Sequence, residues 1–190
     1  MGLDVYHWID SIWILLGIYW GVSALWVKPA ARREGLGSRA FHMAVMIAAF
    51  ALLFSRSTRI GILGVRLIPD YDWIRWVGLG LTAAGCAFAV WARAMLGSNW
   101  SGTVTVKQNH ESIRSGPYAI VRHPIYSGFL LGLLGTALSV GEARGLIALA
   151  LAFVGWFVKA RVEEQFMVEQ FNGDYVRYIR DVKRLIPFVF

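Results

Sequence analysis

Two short polar stretches carry the residues best able to do chemistry. The first is "GPYAIVRHPIY", Gly116 to Tyr126, which holds two proline steps, an Arg, a His and two Tyr. Proline fixes φ and lacks an N–H, so Pro124 suits the first turn of a helix. A helix start with Tyr118 and Tyr126 in an interfacial aromatic belt accounts for Pro124 and one tyrosine. It does not account for Arg122 and His123, because the positive end of the helix macrodipole disfavours cations. That end favours an anionic ligand, or a neutral His used as a hydrogen-bonding group. The second stretch is "KARVEEQF", in which Lys159, Arg161, Glu163 and Glu164 directly follow an apolar run. As plain helix-exit charges they include an i,i+4 pair, Lys159–Glu163. As ionisable groups at membrane depth they mark a site, where a Glu holds a cation and an Arg or Lys holds a carboxylate. A third segment, "LGSNWSGTVTVKQNHESIRSGPY", adds Asn99, His110, Ser112 and Tyr118. So long a connection is functional or disordered, and its aromatic and β-branched content argues against disorder.

The elements that must position these residues are apolar. The chain has 190 residues, 57% of them hydrophobic and 16% charged, with mean hydropathy +0.52. Soluble domains average about 45–50% apolar and about 25% charged. The excess comes in blocks, which makes this an all-α, polytopic integral membrane protein with about five transmembrane helices. The spans are expected at about 9–27, at 40–54 (one segment, or continued past Ser55 into "IGILGVRLI"), at 73–96, at about 125–140 and at about 145–160. The turn "GEAR" joins the last two into a C-terminal helical hairpin, and the tail from Lys159 starts as a helix continuing the fifth span. Small residues (Gly78, Gly80, Ala83, Ala84, Gly85 in the third span; Gly128, Gly132, Gly135 in the fourth) allow close helix packing. The chain reads as one domain, with N-terminal transmembrane helices over 1–72 and a core over 73–190.

With the N-terminus outside, the inner segments hold thirteen Lys and Arg (Lys28, Arg32, Arg33, Arg39, Lys107, Arg114, Arg122 and six from Lys159 onward). The outer segments hold five (Arg56, Arg59, Arg66, Arg75, Arg144). The positive-inside rule then places the tail and both polar stretches in the cytoplasm. The formal charge of +7 sits at the ends of apolar runs, which points to anionic lipid headgroups rather than nucleic acid. Cys86 has no partner for an internal disulfide. The acidic, aromatic N-terminus is not a cleavable signal. Phosphate-loop, dinucleotide and HExxH patterns are absent, and His7, His42, His110 and His123 are scattered, so no metal site is expected.

At "GSNW", "HESIRSGPY", "VRHPIYSG", "RVEEQFMVEQF" and "YVRYIRDVKRLIP", in that order over roughly residues 75–190, the chain resembles the isoprenylcysteine carboxyl methyltransferase family and its bacterial and archaeal relatives. The resemblance implies S-adenosylmethionine (SAM) as cofactor, S-adenosylhomocysteine as product and a membrane-embedded site facing the cytoplasm. It places SAM between the Asn99–Tyr126 segment and the tail helix. The cofactor contacts it implies are His110, Glu111, Ser112, Ile113, Tyr118, His123, Pro124, Ile125 and Tyr126, with Glu163 first and Glu164 next from the tail helix. An arginine four residues before that glutamate positions the substrate in the eukaryotic enzymes. That spacing lands on Lys159 here, with Arg161 as the alternative, and the implied catalytic positions are Arg161, Lys159 and Asn99. The acceptor implied is a carboxylate, by analogy that of S-prenylcysteine, in a lipidic or small molecule. Methyl transfer from a sulfonium to an ionised carboxylate needs no metal and no general base. Proximity and a dry site carry such a reaction. Carboxylate and aromatic neighbours suit the cationic cofactor. A phospholipid amine or a thiol is the nearest alternative acceptor. An NADPH-dependent membrane reductase and a non-catalytic membrane protein are alternatives of other classes.

Overall fold

A chain crossing hydrocarbon must satisfy its backbone hydrogen bonds internally, and the apolar runs do so as helices. The computed structural model describes residues 3–26, 30–33, 35–97, 105–107, 113–171 and 173–189. It contains α1 (Leu3–Ser23), α2 (Leu36–Phe54), α3 (Asp72–Leu96), α4 (Pro124–Val140), α5 (Ala143–Phe171) and α6 (Gly173–Asp181). α1, α2, α3 and α5 are long and apolar enough to cross a membrane, and α4 is a shorter apolar helix. α1 and α2 begin several residues before the expected spans, because polar residues at their starts still adopt helix. The segment 40–68 contributes one span: α2 stops at Phe54, Ser55 is extended (φ −80°, ψ 126°), and short 3-10 turns follow at Arg56–Thr58 and Gly61–Gly64. α5 runs unbroken from the hairpin into the tail, as expected, and α6 is a further short helix. One feature departs from the purely helical expectation. β1 (Ala30–Arg33) pairs antiparallel with β2 (Thr105–Lys107), Ala30 opposite Lys107, and ties the connection after α1 to the one after α3.

The helices pack through small residues. A Cβ added at Gly85 would overlap the backbone of Gly128 and Gly132, and one at Gly135 the backbone of Gly78 and Thr82. Backbones this close gain van der Waals contact that larger residues forbid. The expected small-residue face is thus correct at Gly78, Gly85, Gly128 and Gly135. Within the chain it does not extend to Gly80, Ala83 and Ala84, which are exposed on the opposite side of α3. Positions alternately four and three apart (78, 82, 85, 89) form the stripe facing α4. Trp13 of α1 donates its indole N–H to Thr136 of α4 at 3.0 Å. α2, α4 and α5 share a core of Ala49, Leu53, Leu133, Ala137, Ala148, Ala152 and Trp156.

Arginines finish the helix ends, where carbonyls lack intrahelical partners. Arg93 in α3 donates to Ser23 O at 2.6 Å and Gly97 O at 2.7 Å, closing the C-terminal ends of α1 and α3 together. At the opposite end, Arg144 Nη1 reaches the carbonyls of Leu52, Leu53 and Ser55 at the end of α2, the nearest at 2.8 Å. Its Nε donates to the buried Glu142 at 2.7 Å. The negative end of a helix dipole favours each of these cations.

Candidate functional site

The site lies where the N-terminus of α4 meets the last turns of α5 and the segment after α6. Pro124 occupies the first turn of α4, with His123 as its N-cap in a non-helical conformation (φ −121°, ψ 63°). The chain after α6 runs beside this corner. Arg122 N donates to Lys183 O (2.8 Å), His123 N to Arg184 O (3.0 Å) and Ser127 Oγ to Leu185 O (2.5 Å). Arg122 does not act at the start of its own helix. Its Nη1 donates to Ile179 O at 2.9 Å and to Val182 O, at the C-terminal end of α6. Its Nε donates to Glu164 at 2.8 Å. The misplaced cation of the sequence is therefore a favourably placed cap for another helix.

Two adjacent glutamates of α5 receive the cations. Glu164 is 5% exposed and takes Arg122, both Nε and Nη2 of Arg184 (Nη2 at 2.7 Å) and His123 Nε2 at 3.2 Å. Glu163 accepts the Tyr126 hydroxyl at 2.6 Å and faces His123 Nδ1 at 3.3 Å, and its side chain stays 21% exposed. His123 thus bridges the two carboxylates. Burial disfavours its charged form, but the hydrogen bonds and charges of Glu163 and Glu164 outweigh burial and raise its pKa. Lys159 Nζ lies 5.6 Å from the centre of the Tyr126 ring and also acts on Glu163 electrostatically.

Aromatic rings form the floor. His123 stacks on Tyr126 (5.5 Å, 4°), Tyr126 on Trp156 (5.9 Å, 12°) and Trp156 on Phe129 (5.4 Å, 29°). Tyr118 is buried and donates to Ala92 O at 3.3 Å, and its own carbonyl accepts the Tyr178 hydroxyl at 2.5 Å. Burial pushes the Tyr178 hydroxyl up to about 12, so it remains a neutral donor. Ile125 and Tyr118 pack with Ala92, and Ile113 lies against that cluster.

The structure therefore brings together His123, Tyr126, Glu163, Glu164 and Lys159, with Tyr118, Pro124, Ile125 and Ile113 behind them. Arg161 is exposed and faces away from Lys159 and Glu163, its guanidinium 5.7 Å from the Phe157 ring, over which Arg184 also lies at 5.0 Å. Asn99, His110, Glu111 and Ser112 lie outside the described residues. Sequence reasoning gave no role to Arg184, Trp156 or Tyr178. A signal for Arg184 was present: a Glu carried to membrane depth needs a buried cation, and the tail is rich in arginine.

A helical membrane bundle with a charged, aromatic-floored corner defines the class, and the comparisons define the family. Residues 73–174, more than half of the chain, match the phospholipid methyltransferase family, and the chain belongs to it. It is an integral membrane protein. It is similar to a probable protein-S-isoprenylcysteine O-methyltransferase of Oryza sativa subsp. indica, 28% identical over 125 residues, covering 64% of this chain and 65% of the relative. It is similar to protein-S-isoprenylcysteine O-methyltransferase B of Arabidopsis thaliana, 31% identical over 127 residues, covering 64% of each chain. The corresponding protein of Schizosaccharomyces pombe is 31% identical over 114 residues, covering 58% of this chain and 48% of the relative. The matched region thus spans less than two thirds of each relative's own length.

Proposed function

We propose that this chain is a SAM-dependent methyltransferase acting on the carboxylate of a lipidic acceptor, by analogy with its relatives that of an S-prenylcysteine. The observation that carries the reading is Glu163, a carboxylate anchored by Tyr126 and His123 yet still partly exposed above a stack of aromatic rings. Its oxygens each have two lone pairs, so two partners leave acceptor capacity toward the open side. A carboxylate beside ring faces is the donor set that a sulfonium and an ammonium require, and the residues present fit SAM. When bound, the cofactor supplies an electrophilic methyl group.

In this reading Glu163 and the face of the Tyr126 ring hold the cofactor's cationic groups, and His123 lines the site and keeps Glu163 in place. Tyr118, Ile113, Pro124 and Ile125 shape the wall, and Asn99, His110, Glu111 and Ser112 complete it on the strength of the resemblance. The cations around the glutamates support an anionic acceptor. Among the described residues Arg122, Arg184 and Lys159 lie beside Glu163 and Glu164, and a guanidinium or ammonium suits a carboxylate ligand. Lys159, on the Glu163 face, orients the acceptor carboxylate, and Arg161 is the alternative. Burial around Glu164 and the aromatic floor keep water from the reacting groups. The corner faces the cytoplasm, as the distribution of Lys and Arg suggests, in the cytoplasmic membrane if the cell is prokaryotic.

A phospholipid amine is the second acceptor, favoured by the family to which residues 73–174 match. Transfer of tritiated methyl groups from SAM to a panel of S-prenylcysteine, fatty acid, phospholipid amine and small thiol tests both. Label on the prenylcysteine carboxylate is expected. Label on the amine alone establishes the second acceptor, and none on any acceptor by folded protein contradicts the activity.

A further inference from the structure

We infer that Glu164 is a positioning residue rather than a ligand of the cofactor: with Arg122 and Arg184 it fixes the segment Val182–Leu185 as a wall of the site and holds His123 against Glu163. This inference rests on the proposed SAM site. Its basis is the difference between neighbouring carboxylates. Glu164 Oε1 takes Arg122 Nε (2.8 Å), Arg184 Nε (3.1 Å) and His123 Nε2 (3.2 Å), and Oε2 takes Arg184 Nη2 at 2.7 Å. Its side chain is 7% exposed against 21% for Glu163, so its lone pairs are spent on protein donors away from the open side.

The segment it grips is built into the corner. Val121 and Lys183 form a parallel bridge, and Leu185 is 1% exposed beneath the start of α4. Arg184 therefore acts on the site through a chain of contacts: its guanidinium sets Glu164, Glu164 sets His123 Nε2, and His123 Nδ1 sets Glu163. An Arg–carboxylate fork suits this work, because its geometry is fixed where a single hydrogen bond would swivel. Removing any link lets the imidazole rotate and loosens Glu163, the carboxylate that remains for the cofactor among the described residues of the corner.

The test is isothermal titration of S-adenosylhomocysteine into the full chain in detergent. The variants are Glu164→Gln, Arg184→Ala, Arg184→Lys and the double variant Glu164→Gln/Arg184→Ala. Each removal is expected to weaken binding about tenfold. Residues acting as one unit are non-additive, so the double variant is expected within about twofold of Glu164→Gln. Arg184→Lys is expected to recover most of the affinity. Wild-type affinity in Arg184→Ala beside a loss in Glu164→Gln makes Glu164 a direct ligand and overturns the inference, as does an additive double variant. Thermal unfolding in the same detergent identifies any variant that does not fold. In that case the contrast between Arg184→Lys and Arg184→Ala decides, and equal affinities overturn the inference. Absence of binding by folded wild type removes the SAM site itself, a failure distinct from any pattern among variants.

Discussion

The two ends of α5 solve the same problem and differ in what is left over. At its start, Glu142 is buried between Arg144 at 2.7 Å and Arg59 at 2.8 Å, and Arg144 closes the carbonyls at the end of α2. Toward its far end, Glu164 is buried between Arg122 and Arg184, and Arg122 closes the carbonyls at the end of α6. Both are fold devices: an arginine caps a helix and a buried carboxylate balances its charge. The far end adds a second carboxylate, Glu163, with a tyrosine and a histidine on it, stacked rings below and Lys159 beside it. A buried ion pair is weak support for function, since structural networks are built the same way. The surplus that no helix end consumes is the basis of the proposed site.

That contrast is exposed to failure most severely at the structural end. Arg144→Ala leaves Glu142 without its closest partner and the α2 carbonyls open, at a cost of about 3–5 kcal/mol. Unfolding in detergent should show this loss, while the folded fraction binds S-adenosylhomocysteine as wild type does. Next, Glu163→Gln should cost roughly 2 kcal/mol of cofactor binding, or about a 30-fold rise in Kd, with little loss of stability. Equal effects of these two variants on stability and on binding would erase the distinction between the ends. Tyr126→Phe removes one hydrogen bond to a charged group and should raise the Kd about tenfold. Lys159→Ala should raise the acceptor KM about fivefold, whereas Arg161→Ala should leave it near wild type. The reverse pattern would move the acceptor to the Phe157 face.

The smallest effect expected is with pH. The native pKa of His123 is raised, so the folded protein keeps a proton that the unfolded chain releases above about pH 6.5. The stability this proton brings is complete below that value and is lost as pH rises through the native pKa. The Tm in detergent should fall across that interval, and His123→Gln should flatten the fall.

Much of this was legible in the sequence because membranes enforce simple rules. The five apolar helices, the hairpin at "GEAR" and the start of α4 at Pro124 follow from run length, turn chemistry and the missing N–H of proline. The pairing of "VRHPIY" with "RVEEQF" came from resemblance and became geometric only when α4 and α5 folded back on each other. Gly80, Ala83 and Ala84 show where composition fails, since it does not say which stripe of a helix meets a neighbour. Arg122 shows the same limit for charge. Its position at the start of α4 pointed to a ligand, but its partners lie some forty to sixty residues away, on Glu164, Ile179 and Val182. The ribbon of β1 and β2 joins two connections far apart in the chain, and no local pattern announces such a pairing.

Ultraviolet cross-linking of tritiated SAM to the detergent-solubilised protein, followed by peptide mapping, tests the location of the site most directly. Label is expected on peptides carrying Tyr118–Tyr126 or Lys159–Glu164, and excess S-adenosylhomocysteine is expected to displace it. Label confined to the Glu142 end, or label that S-adenosylhomocysteine does not displace, would contradict the account.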